Sequence, residues 1–105
     1  MSAATLVMWF SLRSPELAEE FERLMASDRD VVSSSLDTMS DYRLTRPTDV
    51  PGQAGAGQAA DYVLIAEIVN VQNWEQQAEE RTQQLADDLA HLVSSRQYLV
   101  LERVL

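Results

Sequence analysis

Three short segments of this 105-residue chain, Thr5 to Leu12, Tyr62 to Val69 and Tyr98 to Leu105, carry hydrophobic residues at nearly every position. Strands with one wet face alternate apolar and polar residues, whereas strands covered on both faces are apolar throughout. These segments therefore predict a sheet that is apolar on both sides. The chain supplies two amphipathic helical segments, enough to cover one face. An open apolar face of several strands exceeds what a soluble monomer normally exposes, so the pattern predicts a homodimer in which a second copy covers it.

The first helical segment opens at Ser14-Pro15-Glu16: a hydroxyl cap, a proline at the first position and an acid in the first turn. Leu17, Phe21, Leu24 and Met25 recur at helical spacing opposite Glu19, Glu20, Glu22 and Arg23. The pattern weakens around Ser27 to Asp30, then either resumes or turns through Val31-Val32. Thr38 to Arg46 reads as a more polar strand suited to a sheet edge. Asn73 to Ser95 reads as the second helix, with Asn73 as its cap and Trp74, Ala78, Leu85, Leu89 and Leu92 on one stripe. Residues 46–60, rich in Pro, Gly and Ala without apolar periodicity, read as a flexible loop. Within it, Gly55 to Ala60 spells the G-x-G-x-x-A phosphate-binding pattern. That fingerprint needs a strand before it and a helix after it, and here a loop precedes and a strand follows, so the match is accidental.

The order strand, helix, strand, strand, helix, strand predicts one α+β domain over residues 1–105. It is the ferredoxin-like βαββαβ antiparallel sheet, with the first and third strands central. Right-handed crossovers put both helices on one face. Two open faces closing on each other give a dimeric α+β barrel.

Composition narrows the chemistry. The chain has no cysteine, which removes disulfides, thiolate zinc sites and cysteine nucleophiles, and a single histidine leaves little for a metal, so neither metal nor cofactor is expected. The formal net charge is −9, with eight arginines as the basic residues, and such a surface repels nucleic acid and anionic membranes. Thr5 to Leu12 is too short to span a membrane and lacks the basic flank of a signal peptide, so the expected compartment is the cytoplasm.

Alternation along each strand sorts the residues by face. Leu6, Met8, Phe10, Leu12, Tyr62, Leu64, Ala66, Ile68, Leu99, Leu101, Tyr42 and Leu44 are assigned to the helix side. The open face then holds Trp9, Val63, Ile65, Glu67, Val69, Tyr98, Val100, Glu102, Val104, Asp41 and Arg43. Glu67 stands out because it interrupts the apolar run Leu64 to Val69. An ionised carboxylate there must be paired or hydrogen-bonded. It is either a general base or ligand anchor, or one half of an interface ion pair with Arg43. Glu102 on the same face, two strands away, either flanks a ligand lying over Trp9 or pairs with an arginine such as Arg103 of a second copy. Trp9 and Tyr98 are candidate stacking walls for an aromatic ligand, or interface residues. Trp74 reads as packing, and His91 as an exposed partner of Asp87 near a helix C-terminus.

Phe21-Glu22-Arg23-Leu24, Asp28-Arg29-Asp30-Val31-Val32, Tyr42-Arg43-Leu44 and Asp61 to Ile68 leading into Trp74-Glu75 resemble the RedY-like group that includes HapK. The resemblance implies a dimeric ferredoxin-like protein of bacterial secondary metabolism, associated with pyrrole and indole pigments and related alkaloids. It implies a small-molecule partner, a hydrophobic and often aromatic intermediate whose cyclisation, hydrolysis or condensation the protein steers without a cofactor. Glu67 looks like an acidic position in the third strand of that group, whereas Leu64 replaces an earlier acid, which counts against roles that need both carboxylates. On this reading Glu67 is catalytic, and Trp9, Arg43, Tyr98 and Glu102 bind substrate. The rival readings are a cofactor-free monooxygenase and a non-catalytic carrier of a reactive intermediate.

Overall fold

The computed structural model describes residues 4–35, 39–47 and 60–104. The elements are β1 (Ala4–Leu12), a 3₁₀ turn (Pro15–Leu17), α1 (Ala18–Ser35), β2 (Met39–Thr45), β3 (Tyr62–Ile68), α2 (Val71–Leu92) and β4 (Val93–Glu102). The strands form one antiparallel sheet in the order β2-β3-β1-β4, the ferredoxin-like arrangement expected from the element order. Thr38, Leu105 and positions 48–59 of the expected loop lie outside the described residues, as does the side chain of Ala78.

Ser14 caps the entry to the first helical segment, its hydroxyl accepting from the Glu16 N–H at 3.4 Å. α1 does not weaken at Ser27 to Asp30. It runs on to Ser35 because Phe21, Met25, Asp28 and Val32 keep one buried stripe at helical spacing. α2 is capped by Asn70 rather than Asn73: the Asn70 side-chain oxygen accepts from the Asn73 N–H at 3.1 Å. It ends at Leu92, and the chain passes directly into β4, which begins at Val93 rather than at Tyr98.

That early start resets β4. Its pairing with β1 runs from Leu12↔Val93 past an irregularity at Ser11/Leu12, then Ser11↔Ser95 through to Ala4↔Glu102. Residues facing each other across antiparallel strands share a face. Arg96, Tyr98, Val100 and Glu102 therefore stand on the helix side beside Phe10, Met8, Leu6 and Ala4, while Gln97, Leu99 and Leu101 stand on the open side. The expected assignment of β4 is inverted. A register shift of one residue moves every side chain to the opposite face, and the run Tyr98-Leu99-Val100-Leu101 has no alternation to fix the choice. β1, β2 and β3 are sorted as expected, with one refinement in β2. An extra residue bulges between Ser40 and Arg43, where Asp41 adopts the left-handed conformation (φ 56°) that short polar side chains tolerate best.

The core lies between the sheet and the helices in two clusters. One gathers Phe10, Phe21, Tyr62, Leu64 and Leu89, with the Phe10 and Phe21 rings edge-on at 5.1 Å. The other gathers Leu6, Val32, Ala66, Ile68 and Trp74. Met8 and Tyr42 pack against both. Each fully buried large side chain contributes about 1.5–3 kcal/mol, so this face carries most of the folding free energy.

Candidate active site

Asp28 lies where the two clusters meet. On the buried stripe of α1 it falls between Met25, which belongs to the first cluster, and Val32, which belongs to the second. At 5% exposure it is the one buried charged side chain among the described residues. A buried carboxylate costs several kcal/mol unless hydrogen bonds compensate. Tyr42 supplies one: the strand β2 aims its hydroxyl at the Asp28 carboxylate, which accepts at 2.7 Å.

An apolar cavity of about 40 Å³ opens beside this acid, lined by Met8 and Leu64 of the sheet, Met25 and Asp28 of α1, Trp74 and Leu89 of α2, and Arg96 of β4. Trp74 is buried, and its indole Nε1–H has no hydrogen-bond partner among the described residues. Leaving such a donor unmatched costs about 1–3 kcal/mol, which is why these groups are rare and often mark a working site. Its ring meets Tyr98 edge-on at 6.4 Å. Tyr98 remains 57% exposed. The enclosure thus holds an acceptor, a donor facing no protein partner and a guanidinium in otherwise apolar walls. As it stands the volume is on the scale of one water molecule, so a larger ligand requires a lining side chain to move.

The open face has a different character. Its rungs read Ser40·Glu67·Thr5·Leu101, Arg43·Ile65·Val7·Leu99 and Thr45·Val63·Trp9·Gln97 across the sheet. Leu99 and Leu101 are 53% and 46% exposed. Glu67 is half-buried, and the Thr5 hydroxyl lies 3.1 and 3.3 Å from its two oxygens. Among the described residues no ion pair joins Glu67 to Arg43, which sits one rung away. Trp9, Glu67 and Arg43 share this face, as the alternation predicts. Tyr98 and Glu102 do not, so the two carboxylates expected to flank a ligand over Trp9 stand on opposite sides of the sheet.

His91 is exposed in the last turn of α2, and no group of three or more metal-binding side chains occurs among the described residues. No helix there is long and apolar enough to cross a membrane. The sequence does not mark Asp28, Tyr42 or Arg96 as site residues, and it favours packing for Trp74. For Asp28 the signal is present: it occupies a core position of the stripe Phe21, Met25, Asp28, Val32, an acid where the helix needs a hydrophobe. For Arg96 there is none, since its side depends on the β4 register.

The sequence profile of the family described as REDY-like protein HapK matches residues 4–104. No functionally curated protein sequence matches the chain. SnoaB, a cofactor-independent oxygenase from Streptomyces nogalater, superimposes with a TM-score of 0.74 at 17% identity, covering 100% of this chain and 96% of that one. A Dabb family protein with a ferredoxin-like fold from Mesorhizobium loti superimposes with a TM-score of 0.73 at 9% identity, covering 99% of each chain. A dimeric ferredoxin-like protein of unknown function from Bacteroides fragilis gives 0.65 at 17% identity over 98% of both chains. At these identities the likeness concerns the fold.

Proposed function

The chain belongs to the REDY-like HapK family, and from that membership we propose that it is a tailoring protein of secondary metabolism that binds a hydrophobic, pyrrole- or indole-type intermediate and promotes its cyclisation or hydrolysis without a cofactor. The observation that carries this reading is the enclosure between helices and sheet, with the Asp28–Tyr42 hydrogen bond at one end and the unmatched Trp74 donor at the other. In the proposed mechanism the Asp28 carboxylate accepts the ring N–H of the intermediate, and the proton moves toward the carboxylate as the ring attacks. The Tyr42 hydroxyl holds that carboxylate in place. Trp74 Nε1–H donates to the carbonyl or imine under attack, and Arg96 stabilises the negative charge that develops there. A ligand ring enters by displacing Tyr98, which then becomes one wall of the site.

A second copy covers the open face in this reading. Leu99, Leu101, Ile65, Val7 and Trp9 form its apolar centre, and the Bacteroides fragilis relative of the same fold is described as dimeric. Glu67, held by Thr5, is then a polar anchor of the interface. The alternative, in which Glu67 is the base inside the dimer barrel, draws on that same Thr5 contact, which fixes the carboxylate on the open face two rungs from Trp9.

The test is a reconstituted bacterial pyrrole- or indole-pigment pathway with wild type and Asp28→Asn, read by mass spectrometry and an oxygen electrode. The expected result is a faster cyclised or hydrolysed product, no oxygen uptake, and a rate about 10²-fold lower in D28N. Oxygen consumption with a product heavier by one oxygen atom would establish the monooxygenase instead. A changed product distribution without faster substrate loss would establish a carrier.

A further inference from the structure

Three of the eight arginines of this acidic chain, Arg29, Arg43 and Arg46, line one groove of about 490 Å³ between α1 and β2. We propose that this groove binds the oxyanion, carboxylate or phosphate, of a small ligand. The inference stands on the groove alone and does not depend on the enclosure around Asp28.

In a chain of net charge −9, three arginines in the lining of one groove against a single acid are a local reversal of sign, the place where an anion is drawn in instead of repelled. No carboxylate neutralises Arg43 by an ion pair among the described residues, and the hold on Arg29 is weak, a long, exposed contact with Asp30 at 3.8 Å. Arg46 donates to the Tyr62 hydroxyl, a neutral group that leaves its charge unpaired by that contact. The one acid of the lining, Glu22, has its carboxylate turned to that same hydroxyl, from which it accepts a hydrogen bond.

Arg43 stands opposite Ile65 on the edge strand β2, and the groove runs along that edge with Arg43 in its lining. Arginines supplied to one groove by an edge strand and a helix bring guanidinium forks suited to bidentate recognition of a planar carboxylate or a tetrahedral phosphate. Tyr42 contributes its ring to the groove while its hydroxyl reaches Asp28, so an anionic tail held here stands on the far side of Tyr42 from the enclosure.

The experiment is an NMR titration of the full chain at low salt with inorganic phosphate, indole-3-acetate and uncharged indole-3-acetamide, following the arginine Nε–Hε signals. The expected result is saturable movement of the Arg43 and Arg46 signals with at least one anion and with neither signal moved by the amide, while Arg23, paired with Glu19 elsewhere on α1, stays still. Response to phosphate alone assigns a phosphate ligand, and response to indole-3-acetate alone a carboxylate ligand. In Arg43→Gln/Arg46→Gln the affinity should fall by about tenfold or more, the scale of charge-assisted hydrogen bonds. R43K and R46K, which keep the charge and lose the fork, should fall by less. No saturable shift in the wild type, or equal movement of Arg23, overturns the proposal without any variant having to fold.

Discussion

Two carboxylates lie among hydrophobic residues on opposite sides of the sheet, Asp28 on the helix that covers one face and Glu67 on the open face, and the two are kept in different ways. Asp28 is enclosed between two core clusters, takes the Tyr42 hydroxyl at 2.7 Å and faces a cavity with an unmatched indole donor. Glu67 is half-buried at the end rung of an uncovered face and takes Thr5, a neighbour on the adjacent strand. The first arrangement removes water and leaves polar capacity for a ligand. The second satisfies a side chain on a surface whose apolar centre, Val7·Ile65·Leu99, asks for protein.

The largest expected effect separates the two acids. Asp28→Asn should lower turnover about 10²-fold, whereas Glu67→Gln should leave it within about threefold. The reverse ranking would move the chemistry to the dimer barrel. Single-turnover rates on both variants, normalised to folded protein by circular dichroism, make the comparison.

Next comes assembly. Ile65→Asp puts a charge in the middle rung of the open face and should raise the dimer dissociation constant by about 10²-fold or more, the scale of a central interface residue. Analytical ultracentrifugation reads it directly. A wild type that is monomeric at micromolar concentration would remove the interface half of the comparison.

Smaller still is an alkaline signature confined to the helix face. Burial, then the hydrogen bond to Glu22 and its charge, push the Tyr62 pKa up to about 12 from 10.0, against an opposing pull from Arg46. Below pH 10 both folded and unfolded chains hold this proton. Between about pH 10 and 12 the unfolded chain loses it while the folded chain keeps it, so stability falls as pH rises, by on the order of 2 kcal/mol across the window. Urea melts of Tyr62→Phe should lack that part of the slope. The smallest effect is on the open face, where Glu67→Gln retains an acceptor for Thr5 and should change stability by under about 1 kcal/mol.

How far the sequence reveals these differences depends on the strand. β1 and β3 place their residues correctly because Thr5, Ser11 and Glu67 break an otherwise apolar run at a period of two. β4 offers no such mark, and its register is set by where α2 stops, at a helix end that passes into strand without a glycine or proline to announce it. Tyr98 and Glu102 therefore change sides, and the five-residue site drawn across the open face is divided. Asp28 is legible as an acid at a core position once α1 is known to continue past Ser27. The unmatched Trp74 donor is a property of tertiary packing, and no spacing in the chain encodes it.

The chain has two tryptophans, one on each face, Trp9 on the open side and Trp74 at the enclosure. Their indole Nε1–H signals in a ¹⁵N-labelled sample report both faces at once. Titration with indole-3-carbaldehyde, which offers a ring N–H and a carbonyl acceptor, should move the Trp74 signal saturably and leave Trp9 in place, while dilution through the dimer dissociation constant should move Trp9 and leave Trp74. If the aldehyde moves Trp9 and not Trp74, the ligand lies in the dimer barrel and the assignment of the enclosure as the active site is wrong.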